Sequence, residues 1–180
     1  MRKEKGFTLV ELIVVLGISA LLLSMAVPSM GSFLSNSRQA GAINDFVGSV
    51  RMARSTAIEA NTDVTICPSA GGRSCENVDW HEGWIVFKDL DNNQVVDEND
   101  TIVRVYDGAD GINIRPSHTE GFLHYRPNGR IVHQQVSGSA GDFTVCDRRG
   151  TDYAKVMILD LSGRPLLTKT LTDGSLPSCG

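Results

Sequence analysis

The chain has 180 residues, 41% of them hydrophobic and 21% charged, which leaves room for one folded domain plus an extended element and excludes wholesale disorder. Its formal charge of −4 excludes a generally basic nucleic-acid binder, so any surface for phosphates has to be local. Apolar residues crowd into the run from Phe7 to Val27, whereas everything after about Thr62 reads as a water-soluble body, so the chain is built for two environments.

The first segment opens with Arg2, Lys3 and Lys5 and then turns apolar for about twenty residues, the length of helix that crosses a bilayer's hydrocarbon core. The basic end is expected to stay cytoplasmic. A cleaved secretory signal is the competing reading: Ser24-Met25-Ala26 has the small-x-small form of its cleavage site, and a cut there would release a soluble periplasmic protein. Glu11 argues against it. An ionisable side chain inside an apolar helix costs about 2 to 4 kcal/mol and marks a functional partner, a need that secretion alone does not create. If a peptidase cut between Gly6 and Phe7, the new amine would be cationic near neutral pH and would sit one helical turn before Glu11. Between neighbouring subunits that pair would neutralise both groups and set axial register, which makes Glu11 an assembly residue.

The run Gly6-Phe7-Thr8-Leu9-Val10-Glu11-Leu12 resembles the prepilin processing motif of the type IV pilin-like family: a basic leader ending in Gly, then Phe, with Glu at the fifth mature position. The resemblance implies cleavage after Gly6 and N-methylation of Phe7 by a prepilin peptidase. It also implies a single-pass anchor in the bacterial inner membrane, a periplasmic head, and assembly with other pilins or pseudopilins through the N-terminal helix. Pro28 falls where pilins have the proline that kinks or loosens this helix. The expected division is a leader over 1–6, a membrane and assembly half-helix over 7–28, an amphipathic half-helix over 29–61 and a β-rich head over 62–180.

Beyond Pro28, Phe33, Leu34, Ile43, Phe46, Val47, Val50, Ala53, Ala57 and Ile58 recur at helical spacings, with Asn36, Arg38, Asp45, Arg51 and Arg54 filling other positions. That stripe needs a cover, and the rest of the chain supplies short β-rich runs. Strands are expected over 63–67, 83–88, 101–106, 112–115, 122–126, 130–133, 143–146, 155–161 and 166–171. Asp107-Gly108 and Asn128-Gly129 are hairpin signals, and Ser162-Gly163 separates the last two runs. The fold class is α+β, a long N-terminal helix packed against an antiparallel head.

Cys67, Cys75, Cys146 and Cys179 all lie in the head, as befits an oxidising compartment, and their spacing matches neither zinc knuckles nor a redox C-x-x-C. Two structural disulfides are expected. Three pairings are open; Cys67 with Cys75 and Cys146 with Cys179 is favoured because each closes a local excursion.

More loosely, the whole chain is similar to pseudopilins and minor pilins of the GspH/FimT type. The carriers are Arg51-Met52-Ala53-Arg54-Ser55-x-Ala57, Val64-Thr65-Ile66-Cys67, Trp80 with Gly83-Trp84-Ile85-Val86-Phe87, and Gly163-Arg164-Pro165. The resemblance implies two sheets embracing the second half of the helix.

Three constellations bear on chemistry. His81, His118, His124 and His133 are scattered and no nucleophile motif is present, so no catalytic residue and no enzyme activity are expected. Asp89, Asp91, Asn93, Asp97 and Asp100 fall at positions 1, 3, 5, 9 and 12 of a calcium-loop frame; Gln94 replaces its glycine and Asp100 its usual Glu, and a polar hairpin tip is preferred. Arg148, Arg149, Arg164 and Lys169 would give salt-sensitive phosphate contacts if they met on one edge, making DNA a further partner. FimT-like DNA-uptake pilins carry a Gly-Arg-x-Arg tail, but Leu166 stands here where the second arginine would be, and a charge-guarded sheet edge is preferred. The expected function is that of a minor pilin or pseudopilin in a type IV pilus or pilus-like fibre; the alternatives are a type II secretion pseudopilin and a DNA-binding pilin for transformation.

Overall fold

A computed structural model describes residues 6, 8–117, 121–132 and 139–179, without the side chains of 27–29 and 139. Residues 1–5, Phe7, His118, His133 and the Pro28 side chain therefore lie outside the described residues. Helix α1, Leu9–Ala60, is the first element, and the chain divides into two units, Met1–Ser37 and Arg38–Gly180.

In the first unit, helical backbone runs through 27–29 without a break. From Leu12 to Ser37 there is no charged residue, and the described large apolar side chains from Leu9 to Leu34 are exposed. An exposed helix with no polar face suits a lipid environment, and among the described residues this helix is long and apolar enough to cross a membrane.

The second unit sets the other end of α1 against two four-stranded antiparallel sheets. One has the order β3-β2-β1-β5, from Thr101–Asp107, Gly83–Lys88, Val64–Pro68 and Leu123–Tyr125. The other has the order β4-β6-β7-β8, from Ile112–Ser117, Ser139–Asp147, Lys155–Asp160 and Pro165–Thr168. Ala42, Ile43, Phe46, Val47, Val50, Ala53 and Ala57 on α1 share one core with Trp84 and Val86 of β2, Ile114 of β4 and Phe143 and Val145 of β6. A helix in contact with both sheets needs a wider apolar arc than one lying on a single sheet, which is why adjacent pairs such as Ala42-Ile43 and Phe46-Val47 are buried.

Strand β2 is buried on both faces. Trp84 and Val86 point into the main core, and Ile85 and Phe87 join Cys67 in a second cluster capped by Cys75, Val96, Ile102 and Phe122. This is the period-two alternation of a strand with both faces covered. Polar groups on α1 are placed as carefully. Gln39 is buried and its Nε2–H donates to the carbonyls of Val145 (3.1 Å) and Tyr153 (2.9 Å). The Trp84 indole N–H donates to Ser49 Oγ at 2.7 Å, and the Ser49 hydroxyl in turn donates to the Asp45 carbonyl. Each bond spares a buried donor the cost of remaining unpaired.

One expected hairpin is absent. Asp107-Gly108 ends β3 in the first sheet, but β4 belongs to the second, so this turn carries the chain between layers. The turn packs closely on the backbone before β2: a Cβ at position 108 would lie 2.6 Å from the His81 carbonyl oxygen, and the Ala109 N–H donates to that same oxygen. The other two turns do make local returns. Asn128-Gly129 folds Ile131 back onto Tyr125 in an isolated bridge, and Ser162-Gly163 joins β7 to β8.

Candidate functional site

The N-terminal site is built on the first turn of α1. Thr8 caps it: its Oγ1 accepts the Glu11 N–H at 3.3 Å, and its carbonyl accepts the Leu12 N–H. Thr8-Leu9-Val10-Glu11 is thus the Ser/Thr-x-x-Glu spacing of a capping box, a signal that reasoning from charge alone passes over. Glu11 is exposed, at the end of the helix where the macrodipole favours a negative charge. Gly6, the residue on the near side of the expected cut, is exposed too.

In the head, the structure forms disulfides Cys67–Cys75 and Cys146–Cys179. The first closes the segment between β1 and β2; the second ties the C-terminal tail to the end of β6. Thr172 reinforces that tie, its N–H and hydroxyl donating to the buried Asp142 carboxylate at 2.8 and 2.6 Å.

The acidic segment after β2 curls as a loop and brings carboxylate oxygens of Asp89, Asp91 and Asp100 within 4.8 Å of one another. Gln94, at the glycine position of the calcium frame, takes the left-handed conformation with φ of 60°. The loop's own donors serve its acids: Asp89 accepts the N–H groups of Asn93 and Gln94 and the Thr65 hydroxyl, and Asn93 Nδ2 donates to Asp91 and Asp97. Asp89 is fully buried, and the His124 ring lies 3.7 Å from it, 2.9 Å from Thr65 Oγ1 and 3.2 Å from Asp63. This chain of polar groups joins the loop to β1, β5 and Asp63, in the segment between α1 and β1.

The four basic residues do not meet on one edge. Pairing of Val156 with Thr168 and of Leu159 with Pro165 sets Arg148, Arg149 and Lys169 at one end of the second sheet and Arg164 at the other, a strand's length away. Arg149 is also engaged: it pairs with Asp147 and stacks on the Tyr153 ring, 4.1 Å from its centroid. Its guanidinium holds the Asp147 carboxyl below the usual carboxylate range.

Against known families, residues 42–163 match the model described as type II transport protein GspH, more than half of the chain. The chain belongs to the GspH family. Residues 1–27 of this GspH-family chain match the prokaryotic N-terminal methylation motif. Its fold is similar to crystal structures of the type IV minor pilin FimU of Pseudomonas aeruginosa PAO1. One crystal form has 18% identity and a TM-score of 0.59 over 82% of this chain and 99% of that one. A second has 18% identity and a TM-score of 0.56 over 78% and 99%. The minor pseudopilin EpsH from the type 2 secretion system of Vibrio cholerae has 11% identity and a TM-score of 0.45 over 73% and 96%. The comparison with curated proteins gave no match.

One structural site of the GspH-family head escapes a reading by motif. The Tyr125 hydroxyl donates to the Gly163 carbonyl at 3.1 Å, while Arg54 Nε–H donates to the carbonyls of Gly129 (3.1 Å) and Ser162 (3.2 Å). Burial drives the Tyr125 phenol far above its ordinary range, outweighing the opposing pull of Arg54, so it stays a donor. The last turns of α1 are thereby bonded to the turn after β5 and to the β7–β8 turn. Gly163, with φ of 75°, lies so close that a Cβ would stand 2.5 Å from Tyr125 Cε1 and 2.9 Å from the Gly129 carbonyl oxygen. Gly163→Ala should therefore cost about 2 to 4 kcal/mol through backbone strain and overpacking. Denaturant unfolding of the full chain in detergent measures it, and a change below about 1 kcal/mol would mean that the turn relaxes freely.

Proposed function

We propose that this GspH-family chain is a minor pilin or pseudopilin subunit that waits in the inner membrane, head in the periplasm, and is then drawn into a type IV pilus or pilus-like fibre. The observation that carries the reading is Glu11: one exposed carboxylate in the first turn of a helix that has no other charge before Arg38. With cleavage after Gly6 by a prepilin peptidase and methylation of Phe7, the new cationic terminus of one subunit would meet Glu11 of its neighbour. In hydrocarbon such a pair removes two uncompensated charges at once. A secretory cut after Ala26 would discard both Glu11 and the matched methylation motif. The subunit acts by assembly and position, and its residues carry out no turnover.

Two measurements test this. Mass spectrometry of the mature chain should find methylated Phe7 at the N-terminus; a terminus at Val27 would sink the proposal. Glu11→Ala should leave the chain in the membrane, since an insertion cost is removed, yet lower its recovery in sheared fibres by about tenfold or more. Undiminished recovery would show that the carboxylate has no part in docking.

A further inference from the structure

The last turns of α1 and the β7–β8 turn enclose a groove of about 530 Å³, with Arg51, Arg54 and Arg164 on its walls. Arg51 and Arg54 are three residues apart and share a helix face. Arg54 is half-buried and tethered through Nε, as described above, while Arg51 and Arg164 are exposed. Among the described residues, the ion pairs involve His81, His124 and Arg149 and none of these three arginines. Two acids lie near. Glu59 is on the groove wall, and Asp160 Oδ1 is committed to the Ser162 hydroxyl (2.6 Å) and the Arg164 N–H (2.9 Å). Asp160 also attracts the Arg164 guanidinium, but three guanidinium groups against these two carboxylates still leave the groove a positive excess. Ile58 and Pro165 add apolar surface to its rim.

The same head carries a surface of matching chemistry. Residues 89–100 contain five acids and no base. Asp91 and Glu98 are exposed, and so are the apolar side chains of Leu90 and Val95. From this charge and apolar complementarity we infer that the arginine groove of one copy receives the acidic 89–100 loop of a second copy. The inference rests on the reading of the chain as a fibre subunit. Groove and loop are different patches, so the contact is heterologous, the kind that extends into a chain of subunits when it does not close into a ring. A nucleic-acid phosphate chain fits less well: the protein's net charge is −4, Glu59 stands on the wall, and the apolar surface of Ile58 and Pro165 has nothing to meet on a phosphate backbone.

A charge-swap experiment on the full-length chain in detergent tests it. The wild-type chain should self-associate through the head at about 0.05 M salt and less so at about 0.5 M, because these exposed charges are screened. The double variant Arg51→Glu with Arg164→Glu should lose about tenfold or more of that association, as should Asp91→Lys with Glu98→Lys. Mixing the two variants should restore a contact, since the groove of one and the loop of the other again carry opposite signs. Circular dichroism of each variant checks that the head is folded. Association unchanged in either variant, or no rescue on mixing, overturns the inference. So does binding of a DNA duplex that the groove variant alone abolishes. Recovery of the groove variant in fibres separates the two levels: undiminished recovery beside a loss with Glu11→Ala would end the groove contact and leave the subunit reading intact.

Discussion

Replacing Phe46 with alanine should destabilise the head by about 3 to 5 kcal/mol, a large share of the roughly 5 to 15 kcal/mol that a domain has. Phe46 is 1% exposed and sits where three elements meet. Its ring contacts Trp80, Trp84 and Phe143 edge-on, with centroids 5.3, 5.2 and 4.7 Å away. Trp84 belongs to β2 in one sheet and Phe143 to β6 in the other, so a single side chain joins α1 to both layers. Truncation would remove the burial of the ring, its edge-to-face contacts and the packing of two indoles, and the rigid sheets on either side limit collapse of the cavity. Guanidinium unfolding followed by tryptophan fluorescence reads the loss directly. Phe33→Ala is the control, because Phe33 is exposed and belongs to the other unit, and it should leave head stability unchanged. A cost below about 1.5 kcal/mol at Phe46 would mean that the sheets close over the gap.

Removal of the second disulfide should have the next largest effect. Cys146 and Cys179 are 33 residues apart, and closing a loop of that length in the unfolded chain is worth about 3 to 4 kcal/mol on chain-entropy grounds. Cys67 and Cys75 are only 8 apart, which gives about 2 to 3 kcal/mol. The paired variants Cys146→Ser with Cys179→Ser and Cys67→Ser with Cys75→Ser, unfolded side by side, should rank in that order. In the first, the tail would retain the bonds from Thr172 to Asp142, so it should fray from Cys179 backwards. Limited proteolysis would reveal this as early trimming of the last residues. A reversed order would show that native packing around Cys67, in the second apolar cluster, outweighs loop entropy.

Much of the head could be read locally. Gly83–Lys88 is a strand from end to end because a tight run of Trp, Ile, Val and Phe fits nothing else between its flanking loops. The helix was equally plain, since its apolar spacing carries on past Pro28. The signals that misled were those whose local meaning has two tertiary outcomes. Asp107-Gly108 specifies a turn, but whether the next strand pairs with the last depends on which sheet has a place for Ile112 and Ile114, and both are buried in the second. Spacing leaves open whether Arg148, Arg149 and Arg164 meet on one edge, and the β6–β7–β8 register sets Arg164 at the opposite end of the sheet from the other two. The burial of Asp89 against Thr65 and His124 joins residues far apart in the chain, which no spacing rule anticipates.

By itself, the sequence determined the membrane-compatible helix, its lone carboxylate and the processing motif, because those depend on composition and on spacings within one or two turns. Tertiary structure alone decided which arginines share a groove, which polar groups close the head around the end of α1, and how the described strands divide between two sheets. The physical reason is that a helix period or an alternating strand is written in neighbouring residues, whereas strand order and side-chain convergence follow from packing both sheets around one helix.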